Sequence, residues 1–228
     1  MSSEHYTPAV NPLPPVVVAL VLFIIGIELA FTLGTRGLVG GPEAVGWRLH
    51  AIKSYSFSPE IFDVMIQNGR WPFEQVIRFV TYPFVSGSFT QAIFVCVFVL
   101  AMGKMVGEVF GGFPMLLIFV LSGAGGALVY ALVLDPRYPL IGGFPPVYGL
   151  IGAFTWLLWR KLSVVGENQA RAFQLIAVLM GIQLLFGLIF GGTSDWVADL
   201  GGFATGFLLS FFLAPGGWAR IVGRIRRE

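Results

Sequence analysis

Six apolar runs, each on the order of the 20 residues that cross a hydrocarbon core, leave this chain lipid as its only workable solvent. They cover residues 15–34, 84–106, 114–134, 146–162, 172–191 and 196–214. A stretch such as Val16-Val17-Val18-Ala19-Leu20-Val21-Leu22-Phe23 lacks the alternation of a transmembrane strand, so helices are expected and a β-barrel is not. The fourth and sixth runs are short, and the Gly and Trp at their edges fit tilted or recessed helices. Composition agrees: 56% of the 228 residues are hydrophobic, 11% are charged, and the mean hydropathy is +0.83. A soluble domain carries about 25% charged residues, so too little polar surface remains to coat a water-facing body. Soluble enzymes, nucleic-acid binders and disordered chains are excluded on that ground. The expected fold is an all-α integral membrane bundle of six transmembrane helices.

The domain organisation follows from the same pattern: a short polar tail (1–14), one six-helix membrane domain (15–214) and a basic tail (215–228). Residues 1–14 hold no Lys or Arg, so the basic start of a cleavable signal peptide is missing and the first run is expected to be retained. A loop of roughly 50 residues (35–83) separates the first two spans. Long loops without a role are uncommon. It holds Arg36, Arg48, Lys53, Arg70 and Arg78 against Glu43, Glu60, Asp63 and Glu74, and its Trp47 and Trp71 suggest half-buried pieces at the membrane interface. An even number of crossings puts both tails on one side, with Lys104, Arg160, Lys161, Arg171 and the tail arginines 220, 224, 226 and 227. The positive-inside rule then favours cytoplasmic termini in a bacterial inner membrane, with the long loop outside.

Few polar groups sit where chemistry could use them. Cys96 is the sole cysteine, so no disulfide and no cysteine-based metal site can form within the chain. His5 and His50 both lie outside the apolar runs. Glu28 and Asp199 are the acidic groups inside runs, while Lys104, Arg160 and Lys161 lie at run ends; Glu28 is expected to pair internally or snorkel, and Gln183 to hydrogen-bond between helices. No phosphate loop, dinucleotide fingerprint or His/Cys ligand cluster is present, and no cofactor or metal is expected. The membrane partners expected are lipid and the transmembrane helices of other proteins.

Three stretches in order carry a resemblance. Arg78-Phe79-Val80-Thr81-Tyr82-Pro83-Phe84-Val85-Ser86-Gly87-Ser88-Phe89-Thr90-Gln91-Ala92-Ile93-Phe94-Val95 resembles R-L-x-T-x-x-F-x-H-G-S-x-x-H-x-x-x-N. Leu140-Ile141-Gly142-Gly143-Phe144-Pro145-Pro146-Val147-Tyr148-Gly149-Leu150-Ile151-Gly152-Ala153-Phe154 is similar to L-I-G-A-S-G-A-V-Y-G-L-I-G-A-F. Ala198-Asp199-Leu200-Gly201-Gly202-Phe203-Ala204-Thr205-Gly206 is similar to A-H-L-G-G-x-x-x-G. Together they resemble the rhomboid family of intramembrane serine proteases over roughly residues 75–214.

The resemblance implies a rhomboid-like six-helix fold but a degenerate site. Phe144 stands where the family has its nucleophilic serine, Asp199 where it has the histidine that takes the proton, and Gln91 and Val95 where it has the histidine and asparagine that help hold the oxyanion. Acyl transfer requires a nucleophile and a base in hydrogen-bond reach. Pro145 and Pro146 also lack the N–H groups that a helix start would aim at a developing anion, although proline suits a first helical turn. The expectation is a non-catalytic member that binds transmembrane segments. Gly202 and Gly206 are expected to allow close helix approach. Tyr148, one turn after Phe144, corresponds to a family tyrosine packed under the histidine, and Gln91, Tyr148 and Asp199 are expected to plug the cleft with hydrogen bonds. The competing expectation is an endopeptidase with a rearranged site, using Ser86, Ser88, Thr90 or Thr205 with Asp199 as base.

Overall fold

The computed structural model describes residues 12–133, 138–190 and 194–214. The N-terminal tail through residue 11, the basic tail from 215 onward and Arg137 lie outside the described residues. Among the described residues the chain is helical throughout its spans: α1 (Pro15–Thr35), α6 (Phe89–Phe110), α7 (Gly112–Val133), α8 (Phe144–Val165), α9 (Gln174–Phe190) and α10 (Trp196–Leu213). The long loop folds into the short helices α2 (Trp47–Tyr55), α3 (Pro59–Asn68), α4 (Phe73–Val76) and α5 (Arg78–Thr81).

Local signals explain several boundaries. Pro14 and Pro15 open α1, where proline loses nothing because the first helical N–H has no partner. Ser58 caps α3 by accepting from the Ile61 N–H, and Ser88 caps α6 by accepting from the Gln91 N–H, each satisfying an orphan donor. Gly166 ends α8 at φ 76°, the left-handed region that glycine tolerates.

Among the described residues five helical segments are long and apolar enough to cross a membrane: Pro15–Thr35, Phe89–Phe110, Gly112–Val133, Gln169–Ile189 and Trp196–Leu213. The fourth expected span, α8, has the length but a more polar composition, with two prolines and the pair Arg160 and Lys161. Its position accounts for the difference. From Pro145 to Ala153 every residue is buried by neighbouring helices, so protein rather than lipid is the solvent of that stretch.

α8 packs most extensively against α10 and α7, and glycine makes that possible. A Cβ on Gly202 would coincide with the Pro145 carbonyl, one on Gly206 with the Gly149 carbonyl, and one on Gly152 with the Phe203 carbonyl. On α7, a Cβ on Gly126 would lie 2.6 Å from the Ala198 carbonyl oxygen. These backbones touch without intervening side chains, the arrangement by which small residues drive association when lipid removes any hydrophobic incentive. α1 joins from the other side, with Val17 seated on Gly103 and Pro14 on Gly107 of α6.

The long loop is more deeply anchored than its surface tryptophans indicated. Phe57, Phe62 and Tyr82 form a second buried cluster with Ala127 and Tyr130 of α7, Leu140, and Ala198 of α10. Glu28, buried in α1, accepts from Arg48 of α2 through both carboxylate oxygens, at 3.0 and 2.5 Å. The same guanidinium donates to the Ser86 carbonyl at 2.7 Å, and Thr32 donates to Glu28 at 3.3 Å. Glu28 thus pairs internally, and its pair ties α1, the loop and the entry to α6 together.

Two stability outcomes follow, both read as unfolding midpoints in detergent micelles. Gly206→Ala is expected to lower the midpoint, overpacking costing about 1–3 kcal/mol, whereas Gly26→Ala leaves it unchanged because nothing lies within 4 Å of a Cβ there. Arg48→Ala strands a buried carboxylate at a cost of about 3 kcal/mol; adding Glu28→Leu is expected to restore most of the loss.

Candidate functional site

The turn that precedes α8 is held from three directions. Leu140 exchanges backbone hydrogen bonds with Phe57, at 3.1 and 2.8 Å, in an isolated antiparallel bridge. The Gly142 N–H donates to the Tyr82 carbonyl at 3.2 Å. Gly142 adopts φ 87°, a conformation that L side chains rarely occupy, and a Cβ there would coincide with the Gln91 amide nitrogen. Val95, fully buried, presses on the next residue: a Cβ at Gly143 would meet its Cγ1 at 2.8 Å. Tyr82 is itself fixed, its hydroxyl donating to the Gly123 carbonyl at 2.8 Å. Burial, and secondarily the Asp199 carboxylate, holds that phenol well above its ordinary pKa, so it remains a donor.

α8 then begins with Phe144, Pro145 and Pro146. The first helical hydrogen bond runs from the Val147 N–H to the Gly143 carbonyl at 3.2 Å. Phe144 is half-buried and packs against the main core. Pro145 is wedged between Gly126 of α7 and Gly202 of α10, and of these three residues only Phe144 brings an N–H to the helix start. The first-turn prolines therefore have a packing role as well as removing donors.

One turn below Phe144, three helices meet through a polar relay. The Tyr148 hydroxyl of α8 donates to Gln183 Oε1 of α9 at 3.0 Å. Gln183 Nε2 donates to Asp199 Oδ2 of α10 at 2.7 Å. Asp199 is 2% exposed and Tyr148 7%. Asp199 lies in the first turn of α10, where the helix N-terminus favours a carboxylate, and the relay gives this buried group a hydrogen-bond donor.

The expected plug of Gln91, Tyr148 and Asp199 is corrected in one member. Gln91 Oε1 accepts from the Gly87 N–H at 2.8 Å and its amide rests on the Gly142 turn, while Gln183 bridges the other two. Gln183 is thus the interhelical hydrogen-bonder expected from the sequence, and its partners are Tyr148 and Asp199. The signal that could have singled it out is its place deep inside the apolar fifth span, Gln174 lying at the span's start, since such a group must find a partner across helices.

Two of the hydroxyls named as alternative nucleophiles are engaged elsewhere. Ser88 caps α6, and Thr205 donates to the Gly201 carbonyl at 2.8 Å. Ser86 is buried beside the Arg48 anchor. His5 lies outside the described residues. His50 lines an apolar recess of about 490 Å3 between α1, α2 and the Phe84 segment, together with Phe23, Phe31 and Trp47, and Asp199 is not part of that recess. Among the described residues no three His, Cys, Asp or Glu side chains converge as metal ligands do.

Comparison with known proteins adds two findings. A family model described as the Rhomboid domain matches residues 73–216. A protein named RHOMBOID-like protein 4, from Arabidopsis thaliana, is 31% identical over 104 residues, covering 46% of this chain and 25% of that protein. The chain thus aligns with a quarter of that relative's length.

The relay makes a non-additivity prediction. Gln183→Leu leaves Asp199 buried without its amide and is expected to destabilise by about 1–3 kcal/mol. In the double variant with Asp199→Leu, most of that loss should return, as measured by unfolding midpoints in the same detergent; strictly additive effects would show the relay to be energetically idle.

Proposed function

The chain belongs to the rhomboid family, and on that premise we propose that it is a non-catalytic member that holds transmembrane segments of partner proteins. The reading is carried by Phe144, which stands where the resemblance puts the family's nucleophile, and by Asp199, whose Oδ2 accepts from Gln183. A phenylalanine has no group to attack a carbonyl, and a hydroxyl elsewhere would need Asp199 as a free base within hydrogen-bond reach. Two prolines where oxyanion donors would be needed point the same way, since such donors contribute about 2.7–4 kcal/mol apiece.

What remains useful in the fold is a bundle that packs helices closely and exposes apolar faces to lipid. Partner segments would be bound by van der Waals contact and interhelical hydrogen bonds rather than by hydrophobic transfer, because lipid and protein are equally apolar. The role that follows is that of an adaptor, a chaperone or a subunit of a larger membrane complex. The proposed orientation keeps both termini in the cytoplasm, on the side of Lys104, Arg160, Lys161 and Arg171.

The reading is tested by two measurements on the purified full chain and its native membranes. Incubation with transmembrane substrates of active rhomboid proteases is expected to yield no cleavage product. Cleavage that disappears in Asp199→Asn would overturn the proposal in favour of an endopeptidase with a rearranged site. Crosslinked pull-down from native membranes is expected to recover a reproducible membrane-protein partner, and recovery of none would count against helix binding.

A further inference from the structure

The fifth span, α9, is attached to the bundle in an unusual way. Half or more of each of Val178, Ile182, Leu185 and Ile189 is exposed, and the helix makes few contacts with α10. In a membrane those exposed faces meet acyl chains, which are as apolar as the residues themselves, so exchanging them for a partner helix costs little. Its first turns pack on the main core through Leu175, Ile176, Leu179 and Met180, and its polar attachment is Gln183, which accepts from Tyr148 at 3.0 Å and donates to Asp199 at 2.7 Å.

Any helix that displaces α9 uncovers a donor on α8 and a carboxylate on α10, both embedded in apolar surroundings. Leaving either without a partner is costly. A leucine or valine on the incoming segment satisfies neither, and a serine must serve both from one oxygen next to its own backbone; the pair is matched best by an acceptor and a donor on separate atoms of one side chain. A carboxamide presents that combination, and Gln183 uses it.

We propose that Tyr148 and Asp199 form a recognition site for the carboxamide of an Asn or Gln near the middle of a partner's transmembrane segment, which takes the two hydrogen bonds made by Gln183. The inference rests on the helix-binding function proposed above and adds the chemistry of the partner. Gln183 is then an internal competitor, present at high effective concentration because it is tethered. It suppresses binding of apolar segments and sets a threshold that a carboxamide-bearing segment overcomes.

The test uses the full chain in phosphatidylcholine nanodiscs and Leu/Ala-rich transmembrane peptides that differ at one central residue, Asn or Leu, with binding read by energy transfer between dyes. Gln183→Leu removes the competitor, and in that variant the Asn peptide is expected to bind about three- to tenfold tighter than the Leu peptide, the span of membrane hydrogen-bond strengths. In the wild-type chain the preference should be smaller. It should disappear when Asp199→Leu is added to Gln183→Leu, and it should fall when Tyr148→Phe is added, a change that keeps the ring and removes the donor.

Equal affinity of Gln183→Leu for the two peptides overturns the recognition rule while leaving helix binding standing. A preference that survives Asp199→Leu places recognition elsewhere and also overturns it. Failure of every variant to bind either peptide sinks the proposed function together with this inference.

Discussion

The contact of α8 with α10 at backbone distance is the constraint on which the other features depend. Gly202 and Gly206 let the Pro145 and Gly149 carbonyls lie where side chains would otherwise stand. That approach brings the start of α8 beside Asp199 and sets Tyr148 and Asp199 close enough for a single glutamine to bridge them. A methyl group at either glycine would push the helices apart and break the relay before altering any of its members. In lipid, where apolar burial between helices has no advantage over solvation by acyl chains, contact of this kind and the hydrogen bonds it permits are the main sources of specificity.

The loop between the first two spans extends the same logic to the outer part of the bundle. Arg48 reaches a buried Glu28 and the Ser86 carbonyl, while Phe57 pairs with Leu140. One loop thereby grips α1, the entry to α6 and the turn before α8. The ion pair is not evidence of large net stabilisation, because desolvating both charges offsets much of their attraction. Its effect is positional: the turn carrying Gly142 and Gly143 is held in register with Gln91 and Val95, and Phe144 enters α8 from a fixed backbone.

Where sequence reasoning held, the cause was local. The spans were legible because apolarity over about 20 residues has one meaning in a chain so poor in charge; the second, expected from residue 84, opens instead at Phe89, where the Ser88 cap sets the helix start. The position of α8 was legible as a span, but not as the most enclosed of the six; its prolines make sense only beside α7 and α10, where Pro145 lies on Gly126 and Gly202 and Pro146 on Gly123. The loop's aromatic residues suggested an interfacial layer, yet Phe57 and Phe62 went into a buried cluster, a destination that depends on the distant Leu140 and Ala198.

The site divides the same way. From the sequence alone follow lipid as solvent, the helical bundle, and the presence of Phe144, Asp199, Gln91 and Val95 at positions where the resembling family has its catalytic groups, because residue identity and spacing are properties of the chain itself. Which amide meets Asp199 was decided only by tertiary structure. Gln91 and Gln183 are chemically the same group, and residue type alone does not say which of them reaches Asp199. Gln91 is held on the Gly87 N–H and the Gly142 turn, while the rotation of α9 against α8 and α10 carries Gln183 between Tyr148 and Asp199. A hydrogen bond of useful strength tolerates only a few tenths of an ångström in length, and that precision resides in the packing of whole helices.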